Sequence, residues 1–173
     1  MLRNWRVTEP LDCPRLQPSN GDMDPEPREF AQDDPFDLAR FSEAQSHSFS
    51  NALSEIRQGR KRTHWMWYIF PQIAGLGHSE MSRRYAVTSL AEAQAFLSHP
   101  VLGTRLRMCV AALQDLTGAS PERIFGSVDA MKLASSLTLF AQAGGGQLFE
   151  AALDRWFGGP DARTLELLRQ SKD

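Results

Sequence analysis

From residue 34 onward, apolar residues recur every three to four positions along most of the chain, the period of an amphipathic helix. Leu38, Phe41, Ala44, Phe49, Ala52, Leu53 and Ile56 form the first such face, opened by Asp34-Pro35 and stopped by Gly59, so one long helix is predicted there. Ser89-Leu90-Ala91-Glu92 has the form of a capping box ahead of Ala93, Phe96 and Leu97, and His99-Pro100 ends that helix. Pro100 suits the first turn of the next, whose apolar face is Leu102, Leu106, Cys109, Val110, Leu113 and Leu116, closed by Gly118. Ser120-Pro121-Glu122 predicts a short helical turn to Gly126. Asp129 is placed to cap a helix through Ala130, Leu133, Ala134, Leu137 and Phe140, ended by Gly144-Gly145-Gly146. Two more helices are predicted over 147–157 and 161–170, separated by Gly158-Gly159-Pro160. Only Trp65 to Phe70 is β-prone, and periodicity leaves it open between a buried strand and a buried helix. The predicted fold is mainly α: one compact multi-helix domain over 34–173, with room for one or two short strands.

Proline usage sets off the N-terminus. Six of the ten prolines (Pro10, Pro14, Pro18, Pro25, Pro27 and Pro35) fall in the first 35 residues. Residues 1–36 carry four arginines against eight acids, whereas 37–173 carry fifteen bases against thirteen acids. A Pro-rich acidic stretch without apolar periodicity buries too little surface to offset chain entropy. Residues 1–33 are therefore expected to form a disordered tail, with Trp5 as its one docking residue.

Charge and cysteine usage narrow the function classes. A formal net charge of -2, and only +2 on the domain, opposes nucleic-acid binding driven by phosphate contacts. No apolar run reaches the roughly 18 residues of a membrane span, and Arg3 and Arg6 precede no apolar segment of the secretory kind. The expected compartment is the cytoplasm. Two cysteines, Cys13 and Cys109, make neither a disulfide framework nor a zinc site, and His47, His64, His78 and His99 lack ligand spacing. No metal and no cofactor are expected.

Two segments concentrate the candidate chemistry. In Arg60-Lys61-Arg62-Thr63-His64-Trp65-Met66-Trp67-Tyr68-Ile69-Phe70-Pro71-Gln72, three bases and a histidine abut four aromatics. Guanidinium groups hold phosphate and aromatic faces stack on a base, so Arg62, Trp65 and Trp67 are candidate ligand-binding residues. The same aromatics equally suit core anchors, with the bases snorkelling. His64, with a pKa near neutrality, is the candidate proton carrier or a structural hydrogen-bonding group. Gly75-Leu76-Gly77, followed by Ser79, Ser82, Arg83 and Arg84, reads as a flexible turn with weak phosphate-binding character.

The second segment lies toward the C-terminus. Lys132 is the only lysine between Lys61 and Lys172 and sits in an otherwise apolar helix. It either snorkels or holds an anion in a pocket. Glu150 and Asp154, four residues apart, share a helix face; they are the candidate acid and base, or an ordinary solvated face. Trp156 follows as a stacking plate. A non-catalytic helical module for protein interaction is the alternative to a small-molecule site.

These segments carry a family resemblance. Gly59 to Trp67, with Pro71-Gln72, Gly75-Leu76-Gly77, Tyr85-Ala86, Phe125-Gly126, Lys132-Leu133 and Ser135-Ser136, resembles the domain-of-unknown-function family 1810 over about 36–170. Members of that family are often labelled calpastatin, but an inhibitor of that kind is expected to be disordered, which capped apolar-faced helices oppose. The order His64-Trp65, Lys132, Glu150, Asp154, Trp156, Gly158 also resembles the NADAR superfamily. That resemblance implies a ribosylated phosphate ligand of ADP-ribose or N-glycoside type, with N-glycosidase-like hydrolysis by Glu150, Asp154 and His64. Arg62, Lys132 and the tryptophans would bind. Thr63 stands where that superfamily usually carries a glutamate, which implies binding without cleavage.

Overall fold

The structure, a computed structural model, describes residues 34–171. The expected tail, Trp5 and Cys13 lie outside the described residues. Ten α-helices are present among them: α1 Ala39–Ser46, α2 Phe49–Arg57, α3 Met66–Ile69, α4 Glu80–Arg84, α5 Leu90–Ser98, α6 Leu102–Gln114, α7 Pro121–Phe125, α8 Ser127–Phe140, α9 Gln147–Phe157 and α10 Ala162–Gln170. The mainly α reading therefore holds. No strand forms among the described residues; the nearest feature is a parallel bridge between Ile73 and Val87. The β-prone run 65–70 resolves into the single turn α3.

The expected first helix is two helices. The break falls at His47-Ser48, where the Ser46 and Ser48 hydroxyls donate to the carbonyls of Glu43 and Ala44 at 2.7 Å each. Hydroxyls bonded back onto helix carbonyls favour helix ends over helix interiors. The helix expected from Asp129 begins earlier, at Ser127, which places Asp129 in its first turn and not at its cap. The cap at Ser89 forms as predicted, accepting from Glu92 N–H. The Glu92 side chain, however, reaches Thr88 and Arg40 in place of the capping residue.

Helix α8 is the central element. Its second half carries no exposed residue: Ser135 to Phe140 are all buried, and the helix packs against α7, α9 and α10. An aromatic row, Phe41, Phe96, Phe140 and Phe149, runs through the core with ring centroids 5.1, 5.2 and 6.2 Å apart in succession. Edge-to-face and tilted contacts of this kind are favourable beyond the area they bury. The row ties α1, α5, α8 and α9 together. A second aromatic group, Trp65 with Phe70 and Phe125, joins the segment around α3 to α7. The second group thus sets the α3 segment beside α7, which leads directly into α8.

Candidate functional site

Residues 59–65 form an irregular link between α2 and α3, held by one buried carboxylate. Glu55, 8% exposed, accepts from Arg62 N–H at 2.7 Å, Thr63 N–H at 3.1 Å, the Thr63 hydroxyl at 2.7 Å and Trp65 Nε1–H at 2.8 Å. Burial alone would raise its pKa. The bonds from Arg62, Thr63 and Trp65 outweigh burial and hold it down at about 2. Lys61, just before them in the link, is anchored elsewhere. It donates its N–H to the Ile124 carbonyl at 2.8 Å, and its Nζ pairs with Asp129 Oδ2 at 2.8 Å.

Asp129 also takes Lys132, whose Nζ lies 2.8 Å from Oδ1. One carboxylate is thus shared by two ammonium groups, leaving a local excess of one positive charge. Burial works to raise the Asp129 pKa, but the hydrogen bonds and charges of Lys132 and Lys61 lower it below its ordinary value. Each ammonium also faces an indole: Lys61 Nζ is 5.3 Å from the Trp65 ring centroid, and Lys132 Nζ is 4.6 Å from that of Trp67. The two concentrations seen in the sequence therefore meet at Asp129.

Lys132 and Trp67 open onto a cleft of about 840 Å³. One wall is the α8 stripe Ser127, Val128, Met131, Lys132 and Ser135, residues brought to one side by helical spacing. The opposite wall is the 76–82 segment with His78, Ser79 and Ser82, where α4 is capped by the Ser79 hydroxyl accepting from Ser82 N–H. Phe157, Asp161 and Arg163 close one end. Asp161 is already engaged: its carboxylate caps α10, accepting from Thr164 N–H at 2.8 Å and the Thr164 hydroxyl at 2.6 Å. Glu122, on the rim, has no ion pair or side-chain hydrogen bond among the described residues.

Of the eight residues singled out in the sequence, the cleft gathers two, Trp67 and Lys132. Trp65 is 1% exposed and enclosed by Phe70 and Phe125, so no face is open to a ligand base. Arg62 and His64 are exposed on the α2–α3 link, and neither lines the cleft. Glu150 and Asp154 share a face as expected. That face is exposed, because α9 turns Phe149, Ala152 and Leu153 into the core. Trp156 is half-buried against α6, donating Nε1–H to Gln114 Oε1 at 2.9 Å under the Arg155 guanidinium. Its neighbour Phe157 is the residue that reaches the cleft. The expected acid–base set of Glu150, Asp154 and His64 is therefore not assembled there with Lys132. The sequence pattern marks Lys61 only as one of three bases and Asp129 only as a helix cap, and gives Glu55 no role; an acid three residues before Lys132 is the signal available for Asp129.

The chain belongs to the family of proteins of unknown function designated DUF1810, whose model matches residues 35–168. Among solved structures it is similar to the conserved hypothetical protein Rv1873 from Mycobacterium tuberculosis, at 49% identity and a TM-score of 0.77. The similarity covers 79% of this chain and 99% of that one. No curated protein matches the chain. No described helix is long and apolar enough to cross a membrane.

Proposed function

We propose that the cleft between α8 and the 76–82 segment binds a small ribosylated phosphate metabolite of the ADP-ribose or N-glycoside kind. The observation that carries this reading is the Lys132–Trp67 pair on a cleft of about 840 Å³, a volume suited to a small-molecule ligand. Lys132 gives one N–H to Asp129 and keeps two for a phosphate oxygen. Arg163, paired with Glu166 at 2.6 Å, adds a second cation to the lining, Trp67 and Phe157 supply aromatic surface, and Ser127 supplies a hydroxyl for a sugar.

Binding is better supported than cleavage. A glycosidic hydrolysis needs a carboxylate free to donate or accept a proton, and Asp161 is tied into the α10 cap. Glu122 is the carboxylate of the cleft left for that role, and Glu122→Gln separates turnover from binding. Thr63 in place of a glutamate accords with binding alone. Calorimetric titration of the full chain with ADP-ribose tests the reading. Lys132→Ala and Trp67→Ala are each expected to weaken binding at least tenfold in protein that still unfolds cooperatively. Absence of binding, or equal affinity in both variants and the wild type, refutes it.

A second reading as a protein-interaction surface draws on Val128 and Met131, 59% and 64% exposed on the same wall. Replacing both with serine abolishes partner capture on the second reading, whereas on the first the loss of ADP-ribose affinity follows Lys132→Ala and Trp67→Ala.

A further inference from the structure

Arg60 and Lys61 are neighbours in the irregular link, yet their side chains serve different places. Lys61 goes to Asp129; Arg60 lines a separate pocket of about 450 Å³. The pocket is made where two left-handed glycine turns lie side by side, Gly59 after α2 and Gly118 after α6, with φ of +63° and +68°. Gly59 packs on Leu116: a Cβ there would stand 3.8 Å from Leu116 Cδ2. Arg123, from α7, forms the other cationic side, and Thr117, Gly118 and Ala119 complete the lining.

Four observations bear on what this pocket takes. Neither Arg60 nor Arg123 pairs with an acid among the described residues. No protein acceptor among them takes the backbone N–H groups of Thr117, Gly118 or Ala119. Arg155 adds positive charge next door, its guanidinium held by the carbonyls of Gln114 and Leu116. No carboxylate lines the pocket, and Glu122, the acid beside Arg123 in the chain, lies on the rim of the cleft described above.

We infer that this pocket is a second oxyanion site, in which the guanidinium groups of Arg60 and Arg123 hold a phosphate or diphosphate group of a small ligand. Paired guanidinium groups match phosphate geometry through parallel N–H donors, and unpartnered loop amides and the Thr117 hydroxyl complete the set. The site is independent of Lys132 and of the ligand proposed for the cleft.

The test is titration of the full chain with inorganic pyrophosphate at low ionic strength, followed by calorimetry and by phosphorus NMR line broadening. Arg60→Ala and Arg123→Ala are each expected to lower pyrophosphate affinity at least tenfold, and the double variant to remove it. Arg60→Lys keeps the charge but loses the fork, and is expected to fall between. These arginine comparisons are read in the Lys132→Ala background, where the phosphate anchor of the cleft is removed, and the loss of ADP-ribose affinity in Trp67→Ala reads the cleft by itself, so failure at one site is distinguishable from failure at the other. Melting curves matching the wild type establish that the variants fold. No pyrophosphate binding at millimolar concentration overturns the inference. So does binding in the Lys132→Ala background that survives the double arginine variant.

Discussion

Glu55→Gln is the most informative single perturbation, because one carboxylate organises the whole α2–α3 link. Its two oxygens accept four hydrogen bonds, from Arg62, Thr63 twice, and Trp65. An amide keeps one acceptor oxygen and turns an NH₂ group toward the remaining donors, so at least one buried donor faces another. The magnitude follows from the carboxylate's pKa, held at about 2 against an ordinary 4.5. A native value below the unfolded one means stability that is fully present above the unfolded pKa and lost as pH falls through the native one. At 1.36 kcal/mol per pKa unit, the carboxylate contributes about 3 kcal/mol at pH 7. Linkage leaves about 1.5 kcal/mol of this at pH 3.

Urea unfolding of wild type and Glu55→Gln at pH 7 and at pH 3, followed by tryptophan fluorescence, measures both quantities. The expected destabilisation at neutral pH is about 3 kcal/mol, or roughly 6–12 °C in Tm for a chain of this size. The gap between the two proteins should shrink to about half at pH 3, since a protonated Glu55 resembles the amide. A neutral-pH loss below about 1 kcal/mol would show that the four bonds are not stabilising as argued. A loss of the same size at both pH values would show that it comes from packing and not from the charge.

Two further outcomes follow from packing. Gly103→Ala would put a Cβ 2.0 Å from the Leu97 carbonyl oxygen, where the start of α6 packs on the end of α5; the backbone must move, and a loss of about 3 kcal/mol or more in urea unfolding is expected, with a loss under about 1 kcal/mol refuting the close approach. Cys109 is fully buried, and burial pushes its thiol up to about 12 despite the opposing charge of Arg57. Its peptide should therefore escape iodoacetamide at pH 8 in the native protein and react fully in 6 M urea; native labelling at a comparable rate would contradict its enclosure in the core.

The helices were largely legible because each carries local punctuation. Ser89, Ser120 and Asp161 cap where such residues are expected, and Gly158 ends α9 as its position implied. The errors fall where a local signal competes with a tertiary one. At His47-Ser48 an uninterrupted apolar period hid a break, because Phe41 and Ile56 stay buried on either side of it. At Trp65 to Phe70 a β-prone composition left strand and helix open, and the need to bury Trp65, Met66, Ile69 and Phe70 in so short a space chose a helical turn. Periodicity reports which positions are apolar and says nothing of what packs on them.

The candidate site was legible as two segments and not as one place. Glu150, Asp154 and Trp156 have the residue types of a site, yet their helix faces its apolar side inward and carries the carboxylates away from the cleft. What joins the N-terminal basic segment to Lys132 is Asp129, and its role depends on a contact between residues 68 positions apart, Lys61 and Asp129. No spacing rule predicts that contact. It follows from the packing of Trp65 on Phe125, which brings the α2–α3 link against α7 and the start of α8. The same packing explains why Trp65 and Trp67, two residues apart, have opposite fates. Across the single turn of α3, Trp65 goes to Glu55 and the core, while Trp67 is left half-buried beneath Lys132 at the mouth of the cleft. A change at Trp65 should therefore register first as lost stability, and a change at Trp67 first as lost ligand affinity.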